Sequence, residues 1–272
     1  MKSKMPFDVF IFLSSEDDKH LVSGGIGTYL GLMTKYCKKL WPNAEVFWLT
    51  KSHTKKDFFE EIDGVKRYYF SDQVFFKNKP FYTNIIHHKF EDMVVYENFI
   101  SKLSNKVSDI LREYSGKNIY IESGEWEGHG KDIFNIINSP NILKNVRLHT
   151  PLASCIKQNG LIVSSSTALQ LVNEFQTIIN ADCISACTDF VKSTLVKDVL
   201  GKKLANTLNS KIIVRPNPID KKNFSHSNIT RNQAIDFLNS IVGRSFFDET
   251  TFNILLIGSV EYRKGTHLMI KS

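Results

Sequence analysis

Short apolar runs alternate with amphipathic stretches along most of the chain. Val9–Leu13 is apolar at every position, the pattern of a strand buried on both faces. Ile26, Tyr29, Leu30, Met33, Cys37 and Leu40 recur at helical spacing. They predict a helix over Gly25–Leu40, ended by Pro42-Asn43. Glu45–Leu49 and Val65–Phe70 read as further strands, the second introduced by the Asp63-Gly64 turn. Residues 71–83 are aromatic and polar without period and read as a loop. A long helical pattern then runs from Asn84 to Tyr114, with Gly116 placed to cap its end.

The alternation continues through the second half. Ile119–Glu122 predicts a strand, Ile133–Ile137 a helix and Val146–Leu148 a strand. Ser164 to Thr167 offers caps for a helix reaching about Asn180. Asp182–Ala186 reads as a strand, Asp189–Leu200 as a helix and Ile212–Val214 as a strand. Buried strands alternating with helices imply an α/β fold, a Rossmann-like doubly wound parallel sheet with helices on both faces. Pro216-Asn-Pro218 marks a rigid exit from that sheet, because each proline fixes φ and removes a donor. The predicted division is a Rossmann-like domain over 1–215, a hinge with one helix (near Gln233–Val242) over 216–250, and an incomplete second Rossmann-like domain over 251–272. In that last piece a strand from Phe252 leads into a glycine turn and the start of a helix, without the returning strand of a βαβ unit.

Composition narrows the class. The chain has 272 residues and is 42% hydrophobic, enough for a sizeable core and too apolar for disorder. Its four cysteines contain no CxxC pair, which fits buried thiols in a reducing compartment. Cys183 and Cys187 lack His or acidic partners at ligand spacing, so no metal site is predicted. The charge of +7 is scattered rather than blocked. It fits a solvated lysine-rich surface, with contact to an anionic membrane or substrate as the alternative. No nucleic-acid motif accompanies it. Pro6 and Asp8 interrupt what would otherwise mimic a signal peptide, and no apolar run is long enough to span a bilayer. The expected location is cytoplasmic, with peripheral attachment at the inner membrane face left open.

In an open parallel sheet, ligands bind beyond the carboxyl ends of the strands, and four such places carry unusual chemistry. Ser23-Gly-Gly-Ile-Gly-Thr28 opens a helix, so its free N–H groups and dipole suit an anion. It is a poor GxGxxG, which argues against a nicotinamide-dependent oxidoreductase; a plain capped loop is the alternative. Glu122 to Gly130 crowds Glu125, Trp126 and Glu127 with His129 in a glycine-rich loop suited to sugar hydroxyls, or simply to water. His149 stands at a strand end before Pro151; alone, such a histidine is more often structural than functional. Gly258 to Gly265 holds Arg263 and Lys264 between a strand and a helix start, where a point charge and a guanidinium fork can grip a diphosphate.

Taken in order, these segments resemble glycosyltransferase family 4, retaining nucleotide-sugar transferases of the two-Rossmann glycosyltransferase B (GT-B) fold. Gly24-Gly-Ile-Gly-Thr28 is similar to the family's N-domain glycine loop, and Val146-Arg-Leu-His-Thr-Pro151 to its His-bearing strand end. Val214-Arg-Pro-Asn-Pro-Ile-Asp220 with Phe224 looks like its crossover, and Ile257 to Gly265 like its VGRLxxxKG turn. Ser259 stands where the family commonly has arginine, and the family's Glu-x7-Glu element is not among these residues.

The resemblance implies transfer of a sugar from a nucleotide-diphosphate sugar, used as co-substrate without cofactor or metal, to a glycan or lipid-linked acceptor. It implies that Gly24 and Gly25 lie near the donor diphosphate and that His149 contacts the donor sugar. Arg263 and Lys264 would neutralise the phosphates, and Glu125, Trp126 and Glu127 would meet the acceptor. It further implies that the chain by itself is inactive. A non-catalytic glycan-binding module, or one half of a split transferase, is the alternative.

Overall fold

The computed structural model describes residues 6–20, 24–72, 84–220 and 230–243. The chain divides into two compact units, Met1–Pro218 and Ile219–Ser272.

The first unit is built on one eight-stranded sheet. Its strands are β1 (Val9–Leu13), β2 (Glu45–Lys51), β3 (Phe58–Ile62), β4 (Val65–Phe70), β5 (Ile119–Gly124), β6 (Ile142–Leu148), β7 (Cys183–Ala186) and β8 (Ile212–Val214). They lie in the order β3-β4-β2-β1-β5-β6-β7-β8. All pairings are parallel except β3 with β4. The chain winds outward from β1 through β2 to β4, then returns to β5 and winds the other way. This is the doubly wound Rossmann-like α/β fold expected from the alternating pattern, and its direction of winding reverses between β1 and β5. Leu13 pairs with Ser123 there, so the loops after β1 and β5 leave the sheet side by side.

Side-chain alternation along each strand feeds two cores. Ile11 and Leu13 face one side with Leu49, Ile121, Val146 and Ile184. Phe10 and Phe12 face the other with Val46 and Trp48. Helix α1 (Gly25–Leu40) covers this second face through Tyr29, Leu30 and Cys37. The first face is covered by α2 (Asn84–Glu113) through Phe99, Leu103 and Val107, and by α3 (Lys131–Ile136) through Ile133 and Phe134. α4 (Leu152–Asn159) and α5 (Ser165–Ile179) connect β6 to β7. α5 starts as its sequence predicts, with the Ser164 hydroxyl accepting from the Thr167 amide.

Several elements differ from the sequence reading, α4 among them, since no helix was expected between Pro151 and Ser164. The Asp63-Gly64 turn closes a β3–β4 hairpin rather than merely starting β4: both residues have positive φ, 51° and 73°, as a two-residue type I′ loop requires. β3 escaped the apolar pattern because it is an edge strand that is nowhere fully buried. The predicted Asp189–Leu200 helix is α6 (Asp189–Thr194) followed by a π-helical turn over Leu195–Leu200. Gly201, at φ 67°, then starts a separate α7 (Gly201–Leu208).

Within the second unit the described helix is α8 (Arg231–Val242). It opens with a capping box in which the Thr230 hydroxyl accepts from the Gln233 amide and the Gln233 side chain accepts from the Thr230 amide. The predicted strand at Phe252 and the turn with Arg263 and Lys264 lie outside the described residues.

Candidate functional site at the carboxyl edge of the sheet

The reversal between β1 and β5 is where an open α/β sheet leaves a crevice beyond its carboxyl ends. Around it the fold gathers α1, the turn after β5 and the end of β6.

Gly24 is the N-cap of α1 and provides no side-chain cap. The Glu16 carboxylate, from the loop after β1, takes that place: its Oε2 accepts from the Gly27 amide at 3.0 Å. It lies so close to the backbone that a Cβ on Gly24 would fall 2.6 Å from its oxygens, whereas a Cβ on Gly25 would meet nothing within 4 Å. The end of α1 therefore already holds an anionic group, as the helix dipole favours.

One turn into α1, Tyr29 is the hub. Its ring meets the His149 ring edge to face, with centroids 5.1 Å apart. The Arg147 guanidinium lies over the same tyrosine, 4.8 Å from its centroid. The Tyr29 hydroxyl donates to Glu122 Oε1 at 2.8 Å. Glu122 is buried at the end of β5 and also accepts from the Asn145 amide at 2.7 Å and from the Tyr120 hydroxyl. Burial first, and then the Glu122 carboxylate, push both phenols far above their ordinary range. Arg147, buried on β6, donates in addition to the Asn217 side-chain oxygen. The Arg215-Pro-Asn-Pro218 segment is thereby fastened to the strand that carries His149.

The turn after β5 packs tightly on α5. Gly128 has φ 63°, and a Cβ there would lie 2.3 Å from the Asn173 carbonyl carbon, so glycine is required twice over. Glu127 also has positive φ, 61°. Its carboxylate accepts from His129 Nε2 at 3.1 Å. Burial raises its pKa, but His129, Lys51 and Ser15 outweigh burial, and the group sits below its ordinary value. Trp126 is half-buried on the same turn.

Glu125 is fully buried, at 0% exposure. Its Oε1 accepts from the His149 amide at 2.7 Å and the Thr150 amide at 2.5 Å. Burial pushes its carboxyl up to about 7, against the pull of the surrounding amides of His149, Glu125 itself, Thr150 and Trp126. Glu174 on α5 is equally buried, and both its oxygens accept from the Leu152 amide, at 3.1 and 3.0 Å. Burial and the neighbouring Glu125 raise it well above the usual carboxylate range. His149 itself is half-buried. Burial, then the Arg147 charge, lower its imidazole to about 3. At neutral pH it is an uncharged ring that can share hydrogen bonds but cannot donate a proton as an acid.

Of the predicted residues in the described part, Glu125 contacts the His149 amide, Trp126 and Glu127 share the turn of Glu125, and Gly24 and Gly25 stand at the start of the helix whose Tyr29 meets His149. Tyr29, Arg147, Glu174 and Asn217 join them without having been singled out from sequence. Among the described residues no group of three metal-ligating side chains converges, and no helix is long and apolar enough to cross a membrane. A cavity of about 580 Å³ opens at the opposite edge, lined by Phe7, Asn118, Asn141 and Asp182 ahead of β1, β5, β6 and β7. It lies away from the side where such sheets bind ligands.

Comparison with solved structures bears on the fold. A sucrose-phosphate synthase from Thermosynechococcus elongatus superposes with a TM-score of 0.55 at 14% identity, over 84% of this chain and 52% of that chain. The two share a fold. The match spans about half the length of that enzyme. A trehalose-6-phosphate synthase matches 86% of this chain and 55% of its own, at 13% identity and a TM-score of 0.47, too loose a likeness to add to the argument. No protein-family model and no curated protein matches the sequence.

Proposed function

We propose that this chain forms the acceptor-side part of a retaining nucleotide-sugar glycosyltransferase of family 4, acting on a glycan or lipid-linked acceptor. One observation carries the reading: through Tyr29, the start of α1 and the neutral ring of His149 converge on the β1/β5 reversal. The fold shared with a sucrose-phosphate synthase supports it. In this reading the donor diphosphate approaches the N–H groups at Gly24 and Gly25, displacing the Glu16 carboxylate. His149 meets the sugar near its reacting carbon as an uncharged hydrogen-bonding group. The bond from the anomeric carbon to the diphosphate oxygen breaks, and a bond to the acceptor hydroxyl forms on the same face. The acceptor proton leaves with the departing phosphate oxygen. Arg263 and Lys264 stabilise the charge that develops there, which is often the largest single catalytic contribution. Trp126 and Glu127 border the acceptor. A hexosyl donor, a role in polysaccharide biosynthesis and a cytoplasmic place at the inner membrane face complete the proposal.

The Glu16 carboxylate at the head of α1 favours a second reading, in which this unit binds an acceptor and receives the donor only when a separate donor-binding chain is docked. One experiment separates the two. Labelled UDP-, GDP- and ADP-hexoses are offered with glycan and lipid-linked acceptors to the chain alone, and to the chain extended by whatever coding sequence follows Ser272. The first reading predicts transfer by the extended protein, abolished by His149→Ala, and little or none by the chain alone. Absence of transfer from every donor by the extended protein contradicts it.

A further inference from the structure

The turn that carries His149 is held in an unusual way. β6 ends at Leu148, and α4 begins at Leu152 after His149, Thr150 and Pro151. Proline has no N–H, so this stretch has three backbone donors: those of His149, Thr150 and Leu152. All three are accepted by two buried carboxylates, the first two by Glu125 Oε1 and the third by Glu174. The grip is reciprocal, since the Glu125 amide donates to the Arg147 carbonyl at 3.2 Å.

We propose that Glu125 and Glu174 form a clasp that sets the position of the His149 ring, with Glu125 as the principal positioning residue. The inference rests on the glycosyl-transfer reading only for what His149 does once placed. Burying two carboxylates close together is costly, because each loses its hydration and they repel one another. Satisfying three amides does not require that cost; water or a neutral side chain would suffice. What the two carboxyl groups add is direction, because each side chain is fixed in the interior and presents its oxygens to these amides at 2.5 to 3.1 Å. Glu125 holds the two amides at the base of the histidine, and the ring is then braced on its far side by Tyr29. Its carboxylate meets amides rather than solvent, so Glu125 acts through His149 instead of touching an acceptor sugar.

The test is NMR on the full chain without nucleotide or sugar, so that its result is independent of the transfer assay. It follows the His149 ring signals and the exchange of the His149 and Thr150 amides in wild type, Glu125→Ala and Glu125→Gln. The amides of Val46 to Leu49 in β2 report the integrity of the fold. The clasp predicts that Glu125→Ala speeds exchange of both amides by about tenfold or more and shifts the ring signals, with β2 unchanged. Glu125→Gln, which keeps an acceptor of the same reach, restores both. Should Glu125→Ala lose β2 protection, Glu125→Asp carries the same test, because it withdraws the acceptor by one methylene. Ring signals that stay in place when the acceptor is removed or withdrawn overturn the proposal, as does a folded glutamine variant that restores nothing.

Discussion

Tyr29 and His149 meet edge to face, their planes at 70° to each other, although one lies on the first helix and the other at the end of the sixth strand. The contact couples the two halves of the doubly wound sheet at the point where its direction reverses. It also separates two jobs of one side chain: the ring supports His149 and Arg147, while the hydroxyl serves buried Glu122. Tyr29→Phe is expected to leave the His149 ring signals in place and to destabilise the fold by roughly 1–3 kcal/mol, since it takes a donor from a buried carboxylate. Tyr29→Leu is expected to move those signals as well. Urea unfolding and the histidine NMR spectrum read the two effects separately.

Stability should respond to pH through opposing groups. His149, held down to about 3, favours the fold above the unfolded imidazole value of about 6.5, and that contribution is lost as pH falls towards 3. Glu125, raised to about 7, works the other way. Its contribution is whole below the unfolded carboxyl value of about 4.3 and is lost as pH rises through 7. Glu174 from α5 is the ionisable side chain that interacts with it, and the His149 and Thr150 amides beyond β6 are its hydrogen-bond donors. Glu125→Gln removes this loss. The stability of the variant relative to wild type should therefore climb by on the order of 1 kcal/mol per pH unit between about pH 5 and 7, then level off. Denaturant titrations across that range check it, and a flat difference would place Glu125 at an ordinary carboxylate value.

At the head of α1, the Glu16 carboxylate occupies the position that an incoming phosphate would need. Glu16→Gln keeps a group of the same size and removes the competing charge. Binding of a nucleoside diphosphate should tighten by roughly two- to fivefold, the range of a single charge at an exposed helix end. Calorimetric titration at low salt measures it.

Two glycines should behave differently under the same substitution. Gly128→Ala forces a side chain into positive φ and into the backbone of α5. A loss of about 2–4 kcal/mol is expected. Gly25→Ala adds a methyl where nothing lies within 4 Å, and should change stability by less than about 0.5 kcal/mol. Thermal unfolding of the two variants distinguishes them.

Much of the sheet could be read in advance because its strands are buried on both faces and therefore continuously apolar. Val9–Leu13 and Gly25–Leu40 were expected within the bounds observed. β3 could not be read that way, since an edge strand has a wet face and Phe58–Ile62 carries two glutamates. Within the site, glycine loops and a histidine at a strand end were visible because special backbone positions restrict residue choice. Tyr29 and Glu174 were not. Each sits at helical spacing among core residues, and only the tertiary fold shows that one meets His149 and the other the Leu152 amide. Local sequence likewise says nothing of Arg147 meeting Asn217, 70 positions away.

The central claim is that the head of α1 and His149 jointly face a nucleotide-diphosphate sugar. NMR titration of the chain with UDP-, GDP- and ADP-hexoses tests it most directly, following the amides of Gly24, Gly25 and Gly27 together with the His149 ring. The account predicts that at least one nucleotide sugar moves all of these signals along a single saturation curve, while NAD moves none. Nucleotide sugars that leave the His149 ring and the glycine amides unmoved, or that shift only residues at the opposite edge of the sheet such as Asn118 and Asn141, would contradict it.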